Sequence, residues 1–123
     1  MRRYTFLFLA IVLLVFSALP LLAHHGWGWA TDQEFEITGR VVDATLGNPH
    51  GEVIIEVDGA LWTIEVGQPW RNSRAGLDDS DFAEGTLITF HGHRSANPEV
   101  NLVKAERLVI NNRDYNLYPD RES

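Results

Sequence analysis

From residue 35 onward the chain alternates apolar and polar positions with a period of two, the pattern of half-buried β-strands. Phe35, Ile37 and Val41 share one face of a first strand over residues 35–42, and Gly39 falls on that same face. A glycine there predicts a bulge or a sharp bend, as a small barrel requires. Gly47-Asn48-Pro49-His50-Gly51 is turn chemistry throughout. Val53, Ile55 and Val57 then alternate with Glu52, Glu56 and Asp58 in a second strand. Asp58-Gly59 signals a two-residue hairpin, with 61–66 as the returning strand. Pro69 suits the first position of a helix and Gly76 the position just past its end, so a short helix is expected between them. Asp78, Asp79, Ser80 and Asp81 cap a further turn that ends at Gly85. Strands follow at 86–93, with Ile88 and Phe90 inward, and at 102–110. Residues 113–118 add a short edge segment.

The resulting order, β-β-β-α-β-β with a glycine bend in the first strand, is that of the five-stranded oligonucleotide/oligosaccharide-binding (OB) barrel. The expected fold class is therefore all-β with little helix, an OB-like β-barrel. The competing arrangement is another small half-open barrel with different strand pairing.

The first 23 residues do not share this pattern. Arg2 and Arg3 form a basic start, residues 6–16 are unbroken apolar, Pro20 breaks the run, and Ala23 offers a small residue for cleavage. Residues 1–23 thus read as a secretory signal peptide, and 24–123 as a single barrel domain placed in the periplasm or outside the cell. The alternative is a retained N-terminal anchor, since the apolar stretch is just long enough to span a bilayer. Cleavage would leave no stable membrane insertion.

Composition narrows the function. The whole chain has 123 residues, no cysteine and a net charge of −7 from 10 basic and 17 acidic residues. Without Arg2 and Arg3 the balance is 8 − 17 = −9, which repels phosphate backbones and disfavours nucleic acid as a partner. The missing cysteine excludes disulfides and thiolate zinc sites. The acidic residues are scattered, with no pair placed in a shared apolar pocket, and Ser80 and Ser95 lack a nucleophile's context. No glycine-rich phosphate loop is present. An enzyme is not expected.

The five histidines carry the remaining chemistry. In an OB barrel the loop holding Asn48, Pro49 and His50 and the loop after the fourth strand, with His93, Arg94, Ser95 and Asn97, flank the ligand face. His50 would then approach His91 and His93. Period two puts His91 and His93 on the side of their strand opposite Ile88 and Phe90. Cleavage after Ala23 would expose the His24 amine beside its imidazole, with His25 adjacent. Such a set, His24, His25, His50, His91 and His93, suits copper or zinc. The competing reading is a non-metal interaction module in which Asn48, Arg74 and Arg94 hold an acidic protein partner or an anionic small ligand. Arg71 and Arg74 share a helix face, so salt bridges to Asp78, Asp79 and Asp81 are the simpler expectation. Trp62 is expected in the core, and Trp27 and Trp29 are expected to pack the N-terminus onto the barrel.

The combination of His24-His25-Gly26-Trp27-Gly28-Trp29, Asn48-Pro49-His50, Arg74-Ala75-Gly76-Leu77, Gly92-His93-Arg94-Ser95, Lys104-Ala105-Glu106-Arg107 and Tyr118-Pro119-Asp120-Arg121 resembles an uncharacterised bacterial family of small exported proteins. The resemblance implies a periplasmic location and a single small β-barrel. It implies no activity.

Overall fold

The structure, a computed structural model, describes residues 26–121. The signal-peptide segment, with His24 and His25, lies outside the described residues. Strands β1 (Phe35–Thr45), β2 (Glu52–Val57) and β3 (Ala60–Glu65) precede helix α1 (Pro69–Ala75) and a 3-10 turn (Asp79–Phe82). Strands β4 (Leu87–Arg94), β5 (Leu102–Ile110) and β6 (Arg113–Asn116) follow. Among the described residues no helix is long and apolar enough to cross a membrane.

Neighbouring strands run in the order β3-β2-β1-β4-β5-β6, and a further parallel pairing of β3 with β5 closes the first five into a barrel. This is the OB-like order expected from the sequence. β5 serves two partners along its length. Residues Leu102 to Lys104 close the barrel against Thr63 to Glu65, while Arg107 to Ile110 carry β6 as an edge. The β2–β3 turn takes left-handed backbone at Asp58 (φ 50°) and Gly59 (φ 81°), as a tight hairpin with the right twist requires. Inward positions of the strands supply the core: Val41, Val53, Ile55, Ile64, Ile88, Phe90, Val103 and Leu108 are all buried.

Three sequence expectations are corrected here. The bulge of β1 falls at Val42, where the register steps from Val41↔Ile55 to Asp43↔Ile54. Gly39 instead permits close approach, since a Cβ there would lie 2.7 Å from the Glu56 carbonyl oxygen. Trp62 is half-buried at the rim of the core, stacked on Phe35 at 5.7 Å between ring centres. Arg71 and Arg74 form no ion pair with Asp78, Asp79 or Asp81 among the described residues. Their guanidinium carbons lie 4.5 and 5.2 Å from the centre of the Trp70 ring, and Arg71 also lies 4.1 Å from that of Tyr118. An aromatic face next door offers a planar cation a contact without the entropy cost of reaching a flexible acid.

α1 is fixed at its base by Asn72, whose buried side-chain amide brackets the backbone N–H and carbonyl of Gly67, both at 3.1 Å. Gly76 ends the helix in the left-handed region at φ 97°. The 3-10 turn opens with a capping box in which Asp78 accepts from Ser80 and Asp81 accepts from the Asp78 N–H. The Ser80 hydroxyl, and then its N–H, hold the Asp78 carboxyl below the ordinary carboxylate range.

Both ends of the described chain lie against the outside of β4 and β5. Residues 29–31 run antiparallel to the end of β4, through Thr31 N–H to the Arg94 carbonyl and Ala96 N–H to the Trp29 carbonyl, each at 2.9 Å. Past β6, the Leu117 N–H reaches the Glu106 carbonyl at 2.8 Å, and Leu117 is fully buried.

Candidate functional site

The two terminal straps bury charged residues that the strand pattern would leave in water. On β5 the pairing steps from His91↔Arg107 to Gly92↔Ala105, so Glu106 is the extra residue of a β-bulge. Bulges re-aim a side chain out of the regular pleat. Gly92 is what allows β5 to come so near, since a Cβ at that position would lie 2.0 Å from the Lys104 carbonyl oxygen. His93 and Lys104 are direct cross-strand partners and therefore share the outer face.

Glu106 is 1% exposed and His93 5%. His93 Nε2 lies 2.9 Å from Glu106 Oε1 and 3.3 Å from Glu34 Oε1. The same Glu106 oxygen accepts from Arg121 Nε at 2.6 Å. Two atoms of the pair, His93 Nδ1 and Glu106 Oε2, are buried without a hydrogen-bond partner. Unpaired polar atoms in a low-dielectric site are costly. Glu34, His93 and Glu106 each place one ligand-type atom within 4.8 Å of the others, which makes a candidate metal centre.

Trp27 covers this group. Its ring meets His93 edge-on at 5.7 Å and Tyr118 at 5.2 Å, and the Arg121 guanidinium lies over it at 4.0 Å. The expected packing onto the barrel is thus observed for the Trp27 ring, while Trp29 is tied to it through its backbone carbonyl. Lys104 Nζ also approaches the Trp27 ring, at 5.0 Å, and belongs to a second polar group. It donates to Glu65 Oε1 at 2.8 Å and to the Gly26 carbonyl at 3.4 Å. Glu65 and Lys104 face each other across the β3–β5 seam that closes the barrel. The other Glu65 oxygen is 3.8 Å from His50 Nε2.

The three described histidines therefore go to three different acids. His50 faces Glu65, His93 faces Glu106 and Glu34, and His91 faces the exposed Glu36 at 3.7 Å. Among the described residues, no grouping of metal-ligand atoms joins His50 or His91 to His93. Asn48 is exposed in the turn before His50. Arg74 is exposed on α1 over Trp70. Arg94 lies over Phe35 and Trp62 at 5.4 and 5.1 Å, and donates to the Pro98 carbonyl at 3.2 Å.

Sequence reasoning missed Glu34, Glu65, Lys104 and Glu106. The signal for three of them was weak but present: Ile64-Glu65-Val66 and Val103-Lys104-Ala105-Glu106 place charges inside strongly apolar strands. Period two assigns such charges to solvent, and only the straps reverse that assignment.

No curated protein matches the chain. Solved structures overlap it in part. A ZRD-deleted mutant of TiaS in complex with agmatine covers 63% of this chain and 21% of its own, at 13% identity and a TM-score of 0.46. Apo TiaS, the tRNAIle2 agmatidine synthetase, covers 63% and 18%, at 15% identity and a TM-score of 0.43. The chain thus spans about a fifth of the length of either structure. The expectation of an uncharacterised family is met: residues 12–102 match a family of unknown function, DUF6152, and the chain belongs to that family.

Proposed function

We propose that this protein is an exported binding protein, not an enzyme, that holds a divalent transition metal at Glu34, His93 and Glu106. The observation that carries the reading is the mutual spacing of their three ligand atoms, all within 4.8 Å of one another. Donors held about 2.0–2.2 Å from one ion stand about 3–3.5 Å apart; Glu34 Oε1 is 3.3 Å from His93 Nε2, and Glu106 Oε1, hydrogen-bonded at 2.9 Å, has only a few tenths of an ångström to give. One imidazole and two carboxylates suit zinc better than copper. Copper is better served by a nitrogen-rich set such as the His24 amine and imidazole with His25. Glu34 is half-exposed and offers a way in, while Glu106 and His93 form the buried wall. A metal at Nε2 takes the place of the contacts that His93 makes there with Glu106 and Glu34.

The test is calorimetric titration of the protein, purified as the cell processes it, with zinc and with copper separately. Zinc is expected to bind in one equivalent with a Kd of about 1 μM or tighter, and to lose at least tenfold on His93→Gln. Zinc binding that survives His93→Gln unchanged, or none tighter than about 100 μM, removes the reading. Mass spectrometry of the same sample tests export and cleavage after Ala23 by fixing the N-terminus.

A further inference from the structure

The second polar group opens into a cavity of 240 Å³ lined by His50, Glu65, Lys104, Gln68, Trp29 and Tyr118, together with Pro49 and Gly26. The floor is the Lys104–Glu65 ion pair, with Lys104 7% and Glu65 9% exposed. Burying two charges carries a desolvation penalty that a pair of apolar residues would avoid, so such a pair at the bottom of a pocket calls for a use. The group has a specific incompleteness. His50 Nδ1 faces the Gly51 carbonyl at 3.5 Å, and the tautomer that donates to this carbonyl is the one in which Nε2 accepts. Nε2 then faces Glu65 Oε2, also an acceptor, across 3.8 Å. Two acceptors that face each other without touching define a place for a donor bearing more than one N–H.

We propose that this pocket binds a small zwitterion of the α-amino-acid class. Its ammonium bridges His50 Nε2 and Glu65 Oε2. Its carboxylate is met by Lys104, whose Nζ lies 2.8 Å from Glu65 Oε1, while Gln68 completes the polar part of the lining. The Lys104–Glu65 pair offers the ligand one charge of each sign, so a molecule with both charges gains twice where a simple anion or cation gains once and is repelled once. A net-neutral ligand is also indifferent to the acidic surface that disfavours free anions. The cavity holds about eight water-sized groups at roughly 30 Å³ each, the size of a small amino acid. Trp29, Tyr118 and Pro49 give its side chain an apolar wall. The proposal is independent of the metal centre, since no residue of the Glu34–His93–Glu106 group lines this cavity.

The experiment is amide and indole N–H spectroscopy of the protein, purified as the cell processes it, titrated with glycine, L-alanine and L-valine up to about 10 mM. N-acetyl-L-alanine, which lacks the ammonium, and L-alaninamide, which lacks the carboxylate, are the controls. The expected result is saturable shifts at Gly26, Gly51, Gly67 and the Trp29 indole, with each control at least tenfold weaker. His50→Ala, at a side chain a third exposed and outside the hydrophobic core, loses the shifts while keeping a dispersed spectrum. Gln68→Ala weakens them. His93→Gln leaves them unchanged, which separates this pocket from the metal centre. The proposal is overturned if none of the three amino acids shifts these resonances, if either control matches L-alanine, or if folded His50→Ala binds as well as the parent.

Discussion

Gly92→Ala tests whether close approach of β4 and β5 builds the candidate metal centre. The new Cβ would lie 2.0 Å from the Lys104 carbonyl oxygen, 2.9 Å from its carbon and 3.0 Å from the Ala105 Cα. Ordinary contact begins near 3.4 Å, so the strands must separate by about 1.4 Å at this point. The obstacle is backbone, which cannot rotate away as a side-chain end would. Overpacking of this kind costs about 1–3 kcal/mol, and a backbone obstacle beside a bulge belongs at the upper end, about 3 kcal/mol. A domain of this size shifts its Tm by about 4–8 °C per kcal/mol, so a fall of roughly 12–24 °C is expected by calorimetry or circular dichroism. The displacement occurs beside Glu106 and opposite Ala105, so zinc affinity falls with it even where the protein is folded. Gly47→Ala is the control: nothing lies within 4 Å of a Cβ there, and its φ is outside the left-handed region. It should be neutral or stabilising by up to about 1 kcal/mol. A Gly92→Ala protein melting within about 4 °C of the parent would refute the argument.

Glu106→Gln keeps the shape and an acceptor oxygen but removes the negative charge between His93 and Arg121. Breaking a fully buried pair costs about 3–5 kcal/mol, but Arg121 is 41% exposed and can turn to water, so about 1–2 kcal/mol is expected from urea midpoints. Trp27→Ala removes the ring shared by His93, Tyr118, Lys104 and Arg121. Half-buried, it should cost about 2 kcal/mol, and amide hydrogen exchange at residues 29–31 should accelerate where that of β2 does not. Asp78 has a lowered pKa, so its stabilising effect is fully present above its unfolded-state value and is lost as pH falls through the folded one. Asp78→Ala should therefore destabilise at neutral pH and match the parent in strong acid. Ser80→Ala should raise the Asp78 carboxyl titration seen by carbon NMR, since the Ser80 hydroxyl is the largest cause of the lowering.

The alternation of Val53, Ile55 and Ile64 with polar neighbours, the Asp58-Gly59 hairpin and the Pro69-to-Gly76 helix depend on residues a few positions apart. They could be read directly, and with the helix falling after the third strand they determined the barrel order. The candidate site is of the other kind. His50, His91 and His93 were legible as ligand-type residues, but not the acid that each one meets. Glu36 faces His91 from β1, and Glu65 reaches His50 from β3. Glu106 reaches His93 only because β5 bulges where Gly92 lets the strands close. The burial of Glu65, Lys104 and Glu106 is likewise tertiary. Period two puts Glu65 and Lys104 on the outer face of their strands, and the bulge turns Glu106 to the same side, against His93. Whether that face meets water depends on segments far away in sequence. Here Trp27, Leu117, Tyr118 and Arg121 cover it, and that coverage turns three surface charges into two buried polar groups.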